Sequence, residues 1–160
     1  MSGFFVYGDF MIIRKYKKSD SEKLFKLFYD TIYFINSEDY TEKQLKVWAK
    51  ESRDLSLWEK YLSENYTLVA EEKNTIIGFG NINKEGYLDM LYVHKDFQRK
   101  NIASQLCDKL ENIFPVLKVT VHASITAKPF FEKRGYKVIC EQFVEREKIF
   151  LKNYIMKKDL

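Results

Sequence analysis

Only 2 of the 160 residues are proline and only 6 are glycine. That scarcity excludes a collagen-like repeat or a long flexible linker. The 2 cysteines, Cys107 and Cys140, are too few for a disulfide framework or a zinc cluster. Both lie in partly apolar segments and read as buried free thiols. No run approaches the ~20 apolar residues that span a bilayer. Met1 to Phe10 lacks the basic start and long apolar stretch of a signal peptide. A cytoplasmic, reducing setting without a membrane partner is the expectation. An excess of one charge is nearly missing too, since 27 Lys+Arg against 23 Asp+Glu leave +4. Lys15, Lys17 and Lys18 read as a solvated end, and no nucleic-acid partner is implied.

What the chain does have is apolar and aromatic side chains, at 46% and 16%, which exclude intrinsic disorder. At this length they can build one real core. The expected division is an N-terminal extension, residues 1–10, followed by a single domain, residues 11–160. The aromatic leader Phe4-Phe5-Val6-Tyr7 is a candidate either for packing on a second copy, as a homodimer, or for a disordered extension.

Periodicity divides the rest. Met11 to Tyr16 reads as a strand. Ser19-x-x-Glu22, Thr41-x-x-Gln44 and Ser56-x-x-Glu59 have capping-box spacing ahead of helical patterns, the third marking an optional early helix. Residues 66–70 and 75–82 flank a tight polar turn, as in a β-hairpin, and residues 87–93 form a third strand. A helix is expected over 102–114, closed by Pro115, then a strand over 116–121. A short helix over 127–134 should end at Gly135, and two strands, 136–143 and 149–156, complete the chain. This order predicts an α/β fold with a mixed, mostly antiparallel central sheet flanked by helices.

Chemistry concentrates between Leu88 and Ser104. A strand ends at Val93, a polar loop follows, and Gln98-Arg99-Lys100-Asn101-Ile102-Ala103 opens an amphipathic helix. A helix start offers about four unpaired N–H groups and a positive dipole end. With Arg99 and Lys100 beside it, the segment is a candidate phosphate cradle, or an ordinary solvated helix start.

Gln98-x-x-Asn101-Ile102-Ala103 resembles the Q/R-x-x-G-x-G/A pyrophosphate loop of the GNAT superfamily of acetyl-CoA-dependent N-acetyltransferases. Ala127-x-x-Phe130-Phe131-x-x-x-Gly135-Tyr136 resembles the late helix of the same family, and the resemblance runs over roughly residues 11–158. The stretch from Tyr40 to Ala49 is similar to a small bacterial subgroup. Two residues depart from the pattern. Asn101 replaces a glycine, and Asn is the next-best residue for a left-handed backbone. Phe131 replaces the tyrosine that protonates the leaving thiolate in many members, leaving Tyr136 as a candidate acid.

The resemblance implies acetyl-CoA as co-substrate and direct attack by an amine on its thioester. Leu91, Tyr92 and Val93 would pair their backbones with the pantetheine arm. Gln98, Arg99, Lys100, Asn101, Ile102, Ala103 and Ser104 would hold the pyrophosphate. Phe130 would pack on the arm or simply fill the core. A lysine-like amine of pKa ~10.4 is neutral about once in two thousand molecules at pH 7, so a base is useful. Asp89 is the first candidate, because alternation places it with Tyr87, Leu91 and Val93. The other reading is a carboxylate that caps a turn or pairs with a lysine. His94 and His122 could also serve, or be structural. Tyr33, Tyr40, Trp48 and Trp58 are candidates for an acceptor wall, or for core. The acceptor expected is a small-molecule or peptide amine, and no metal is implied. The alternative is a module that binds acyl-CoA without turnover, as a sensor or partner domain.

Overall fold

The central strands are apolar at consecutive positions, as in Leu68-Val69-Ala70 and Ile76-Ile77, so both faces need cover. The computed structural model, which describes residues 11–51 and 53–160, shows both faces covered. Strands β1 (Met11–Lys15), β2 (Tyr66–Glu72), β3 (Thr75–Ile82), β4 (Tyr87–Val93), β5 (Lys118–Ser124), β6 (Lys137–Arg146) and β7 (Ile149–Asp159) form one sheet. Their order is β1-β2-β3-β4-β5-β7-β6, antiparallel throughout except between β4 and β5. Helices α1 (Ser21–Ile35), α2 (Glu42–Trp48) and α3 (Leu55–Glu64) cover one face around Phe28, Trp58 and Phe79. Helices α4 (Ile102–Leu110) and α5 (Lys128–Lys133) cover the other around Leu106, Leu110 and Met156. The mixed sheet flanked by helices matches the architecture expected from the element order. The optional early helix is present as α3.

Helix α4 lies close to β3 because Gly78 and Gly80 leave that face bare. A Cβ on Gly80 would stand 3.0 Å from both Leu110 Cδ1 and the Met90 carbonyl oxygen. The helix stops at Leu110 instead of Phe114. Glu111 is drawn into contacts with Arg134, Tyr136 and Lys158, and residues just before Pro115 disfavour the helical region. Val116 and Leu117 likewise stay outside β5, which runs on to Ser124.

Of the three expected capping boxes, only Thr41–Gln44 forms, with Gln44 N–H on Thr41 Oγ1 at 3.3 Å. At α1 no side chain caps the helix, and Asp20 instead accepts the Lys17 N–H of the turn before it. At α3 a carboxylate takes over, as Asp54 accepts the Ser56 and Leu57 N–H groups. Strands β6 and β7 run further than expected and meet at Glu147-Lys148, both at positive φ. Asn-Gly or Asp-Gly is the usual signal for such a turn, and it is missing here. Cys107 is buried, and burial pushes its thiol up to about 12. Cys140 is exposed, contrary to expectation, because β6 is the outer edge strand. The leader, residues 1–10, and the packing role of Phe4 to Tyr7 lie outside the described residues.

Candidate active site

Parallel strands β4 and β5 pair only at Tyr87–Thr120 and Leu88–Val121. Beyond that they part, and a cleft of about 1180 Å³ opens in the fork. Leu91 and Val93 line it from β4, Ser124 from β5, Asn101 and Ala103 from the start of α4, and Phe130 from α5. Asp89 and His122, the first residues past the last pair, stand where the fork divides.

The free edge of β4 is legible from its hydrogen bonds. Met90 N–H bonds Asn81 Oδ1 at 3.1 Å and His94 N–H bonds the Ile77 carbonyl at 2.8 Å, both on the β3 side. Alternation therefore turns the N–H groups of Leu91 and Val93 toward the cleft. The Val93 carbonyl accepts from Gln98 Nε2 at 2.6 Å and from Thr31 Oγ1 at 3.3 Å. Tyr92 differs from the expectation. It pairs with Phe79 of β3, so its backbone hydrogen-bonding groups face away from the cleft, and its ring packs on Phe28 and Phe79.

At the far end, α4 begins without a side-chain cap. Its first intrahelical bond is Gln105 N–H to the Asn101 carbonyl at 3.2 Å, so the N–H groups of Ile102, Ala103 and Ser104 have no partner within the helix. Asn101 has φ +65°, the left-handed geometry that asparagine tolerates, and Arg99 has φ +59°. Arg99 and Lys100 are exposed beside this end.

Asp89 is the extra residue of a β-bulge. Asn81 pairs with Met90 and Ile82 with Leu88, so Asp89 has no partner in the ladder. The bulge breaks the alternation that would have placed Asp89 with Leu91 and Val93. Leu88, Leu91 and Val93 pack toward α4, and Met90 and Tyr92 toward α1. The Asp89 carboxylate instead accepts a short hydrogen bond from Tyr61 Oη on α3. Tyr61 Oη in turn accepts from Asn81 Nδ2 at 3.2 Å. Burial and then Asp89 hold the hydroxyls of both Tyr61 and Tyr87 well above the ordinary tyrosine range. Both therefore remain protonated donors at neutral pH.

The sequence did not single out Tyr61 or Asn81. Tyr61 sits at ordinary helical spacing between Trp58 and Leu62 and carries no signal of its own. Asn81, a polar side chain in the apolar strand Ile76–Ile82, was the available clue.

Other expected residues lie elsewhere. Tyr136 is 2% exposed and does not line the cleft; its hydroxyl donates to Glu111 at 2.8 Å, which corrects its reading as an acid. Tyr40 is buried, donating to the Lys152 carbonyl at 2.6 Å and accepting the Ile125 N–H at 2.9 Å. Tyr33 donates to the Ala49 carbonyl at 3.2 Å. Neither tyrosine lines the cleft, because each hydroxyl is bonded to backbone distant in sequence. Trp58 is core, with Nε1 on the Ser21 carbonyl at 2.9 Å. Trp48 does line the cleft. His94 Nδ1 accepts the Asp96 N–H at 3.0 Å and so caps a turn.

Residues 36–158 match the acetyltransferase (GNAT) domain family. The chain belongs to the GNAT family. It is similar to YafP of Escherichia coli K12, an uncharacterised N-acetyltransferase, with 34% identity over 91% of this chain and 93% of that protein. A GCN5-related N-acetyltransferase of Rhodopseudomonas palustris, whose structure is described as an aminotransferase, class II, superposes with a TM-score of 0.91 at 31% identity. That match covers 99% of this chain and 100% of the other. PaiA N-acetyltransferase of Thermoplasma acidophilum, solved with coenzyme A, shares the fold with a TM-score of 0.76 at 21% identity, covering 94% and 99%. In this GNAT chain, both segments that resemble family motifs line one cleft. Gln98, Arg99 and residues 101–104 lie at its α4 end, Lys100 stays outside the lining with Nζ 5.1 Å from the Phe97 ring centroid, and Phe130 and Phe131 lie in its α5 wall.

Proposed function

We propose that this GNAT chain moves an acetyl group from acetyl-CoA to an amine. The observation that carries the proposal is the β4–β5 fork, whose free edge ends against the uncapped start of α4. The residues fit such a co-substrate along its length. Leu91 and Val93 offer strand-like backbone groups to the amides of a pantetheine arm. The N–H groups of Ile102, Ala103 and Ser104, with Arg99 and Lys100, suit a pyrophosphate. Phe130 adds an apolar surface beside the arm. When bound, acetyl-CoA supplies an acetyl group activated as a thioester.

The chain's own residues perform the rest. The Leu91 N–H points into the fork and polarises the reacting carbonyl as a hydrogen-bond donor. Asp89, held by Tyr61, accepts the proton that the ammonium must lose, directly or through water. His122 stands across the fork as a second acceptor. Phe131 carries no hydroxyl to protonate the departing sulfur. A thiol with a cysteine-like pKa of ~8.5 can leave unaided near neutral pH. That missing hydroxyl also favours the second reading, acyl-CoA binding without turnover.

Titration with acetyl-CoA by calorimetry at two salt concentrations, with CoA and ATP as controls, tests the cradle. Thiol release across a panel of amines then tests turnover. Saturable binding that survives higher salt, together with thiol release, is expected. Binding without release supports the second reading, and no binding overturns both.

A further inference from the structure

On the helix α1–α3 side of the sheet, two guanidinium groups near Tyr61 and Tyr92 have no ion-pair partner among the described residues. Arg53, in the loop between α2 and α3, has Cζ 4.8 Å from the Trp58 ring centroid and 5.2 Å from that of Phe28. The rings beneath it continue toward Asp89. Trp58 stacks on Tyr61 at 6.0 Å, and Phe28 meets Tyr92 edge-on at 5.1 Å. Arg53 is an exposed residue, yet desolvation against this floor lowers its pKa, and Arg146 lowers it further.

Arg146 ends β6 at the hairpin tip. Lys50 Nζ meets Glu147 Oε1 at 2.5 Å in an exposed ion pair, which places that tip beside Lys50, three residues before Arg53. The same contact engages the acid next to Arg146. Arg146 is also close enough to bear electrostatically on the hydroxyls of Tyr87 and Tyr92, whose neighbour is Asp89. Among the described residues, neither Arg53 nor Arg146 forms an ion pair.

Lys50–Glu147 brings the hairpin tip that carries Arg146 to the segment before Arg53, and an anion shared between the two like charges lowers their repulsion. Guanidinium groups are matched to planar, two-oxygen anions. We propose that the acceptor is an amine that also carries a carboxylate, which Arg53 and Arg146 hold while the amine faces Asp89. This rests on the acetyl-transfer reading and adds the chemical class of the acceptor. The positions divide the labour. The cations at the start of α4 serve the phosphates at one end of the cleft, and Arg53 and Arg146 serve the carboxylate beyond the fork.

The test compares each amino acid with its decarboxylated amine, such as phenylalanine with phenethylamine and leucine with isopentylamine. O-Phosphoethanolamine serves as the phosphate arm. Binding to the CoA-saturated protein is read by calorimetry, and transfer by kcat/KM. Charge-assisted pairing predicts a preference of about 10- to 100-fold for the carboxylate member. Arg53→Gln and Arg146→Gln should bring that ratio close to one. Arg53→Lys keeps the charge without the planar fork and should retain part of it, while thermal unfolding verifies that each variant is folded. Equal use of both members, or a preference that survives both Gln variants, overturns the proposal and leaves acetyl transfer standing. Preference for the phosphate arm overturns the carboxylate assignment. If no amine reacts, acetyl transfer fails, and the calorimetric preference then decides the carboxylate site on its own.

Discussion

At Asp89 strand β4 carries one residue more than β3 can pair, and that extra residue turns its carboxylate to Tyr61. Bulges re-aim side chains beside functional sites, and here the bulge points an acid at the root of the fork. Asp89→Asn keeps the shape and loses the proton acceptor. It should lower kcat about 100-fold, within the usual range for a general base, and leave calorimetric acetyl-CoA affinity unchanged. An unaltered pH–rate profile in that variant would remove Asp89 from the mechanism. Tyr61→Phe deletes only the hydroxyl that positions Asp89. We expect a roughly 10-fold lower kcat and about 1 kcal/mol of lost stability from the missing hydrogen bond, read by steady-state kinetics and denaturant unfolding.

At the scale of the element, α4 is placed by the side chains that β3 lacks and by the left-handed turn at its start. Gly80 admits the helix because a Cβ there would meet Leu110 and the Met90 carbonyl. Gly80→Ala should cost about 1–3 kcal/mol as an overpacked contact. Acetyl-CoA affinity should fall with it, since the start of the helix moves with its packing. Asn101 holds the left-handed turn that leaves the N-terminal N–H groups open. Asn101→Ala should cost about 1 kcal/mol, as the left-handed geometry penalises a Cβ, and weaken acetyl-CoA binding several-fold. Asn101→Gly should preserve both, as thermal unfolding and calorimetry would show.

Across the whole molecule, Glu111 ties the end of α4 to the chain leaving α5 and to β7. It accepts from Arg134 Nε at 2.8 Å, from the Tyr136 hydroxyl at 2.8 Å and from Lys158 Nζ at 3.1 Å. Burial pushes its pKa up, but the bonds from Arg134, Tyr136 and Lys158 outweigh that and hold it below the ordinary 4.5. A depressed carboxylate pKa contributes stability that is fully present above the unfolded value and lost as pH falls through the folded one. The melting temperature should therefore drop on acidification below 4.5. Glu111→Gln should remove part of that drop and cost about 3–5 kcal/mol at pH 7, because it leaves buried cations unpaired. Tyr136 thus contributes to the acid stability of the fold and not to the chemistry of the cleft.

The amino-acid sequence by itself determined what depends on near neighbours along the chain. Strand and helix periods, the Thr41–Gln44 cap, the left-handed asparagine at 101 and the αL glycine at 135 are encoded within a few residues of each other. So are the two segments that resemble GNAT motifs. Element ends were less legible, since Asp54 outcompeted Ser56 as a cap and the Glu111 contacts ended α4 early. Tertiary structure alone decided the fork, the bulge and the partners of Asp89. A single extra residue reassigns the faces of a strand, and no local pattern reports it. Tyr61 reaches Asp89 across 28 residues, and the hairpin tip reaches Lys50 across 97. Strand pairing and helix packing bring such distant groups together, so the polar constellation around Asp89 exists only in the folded chain.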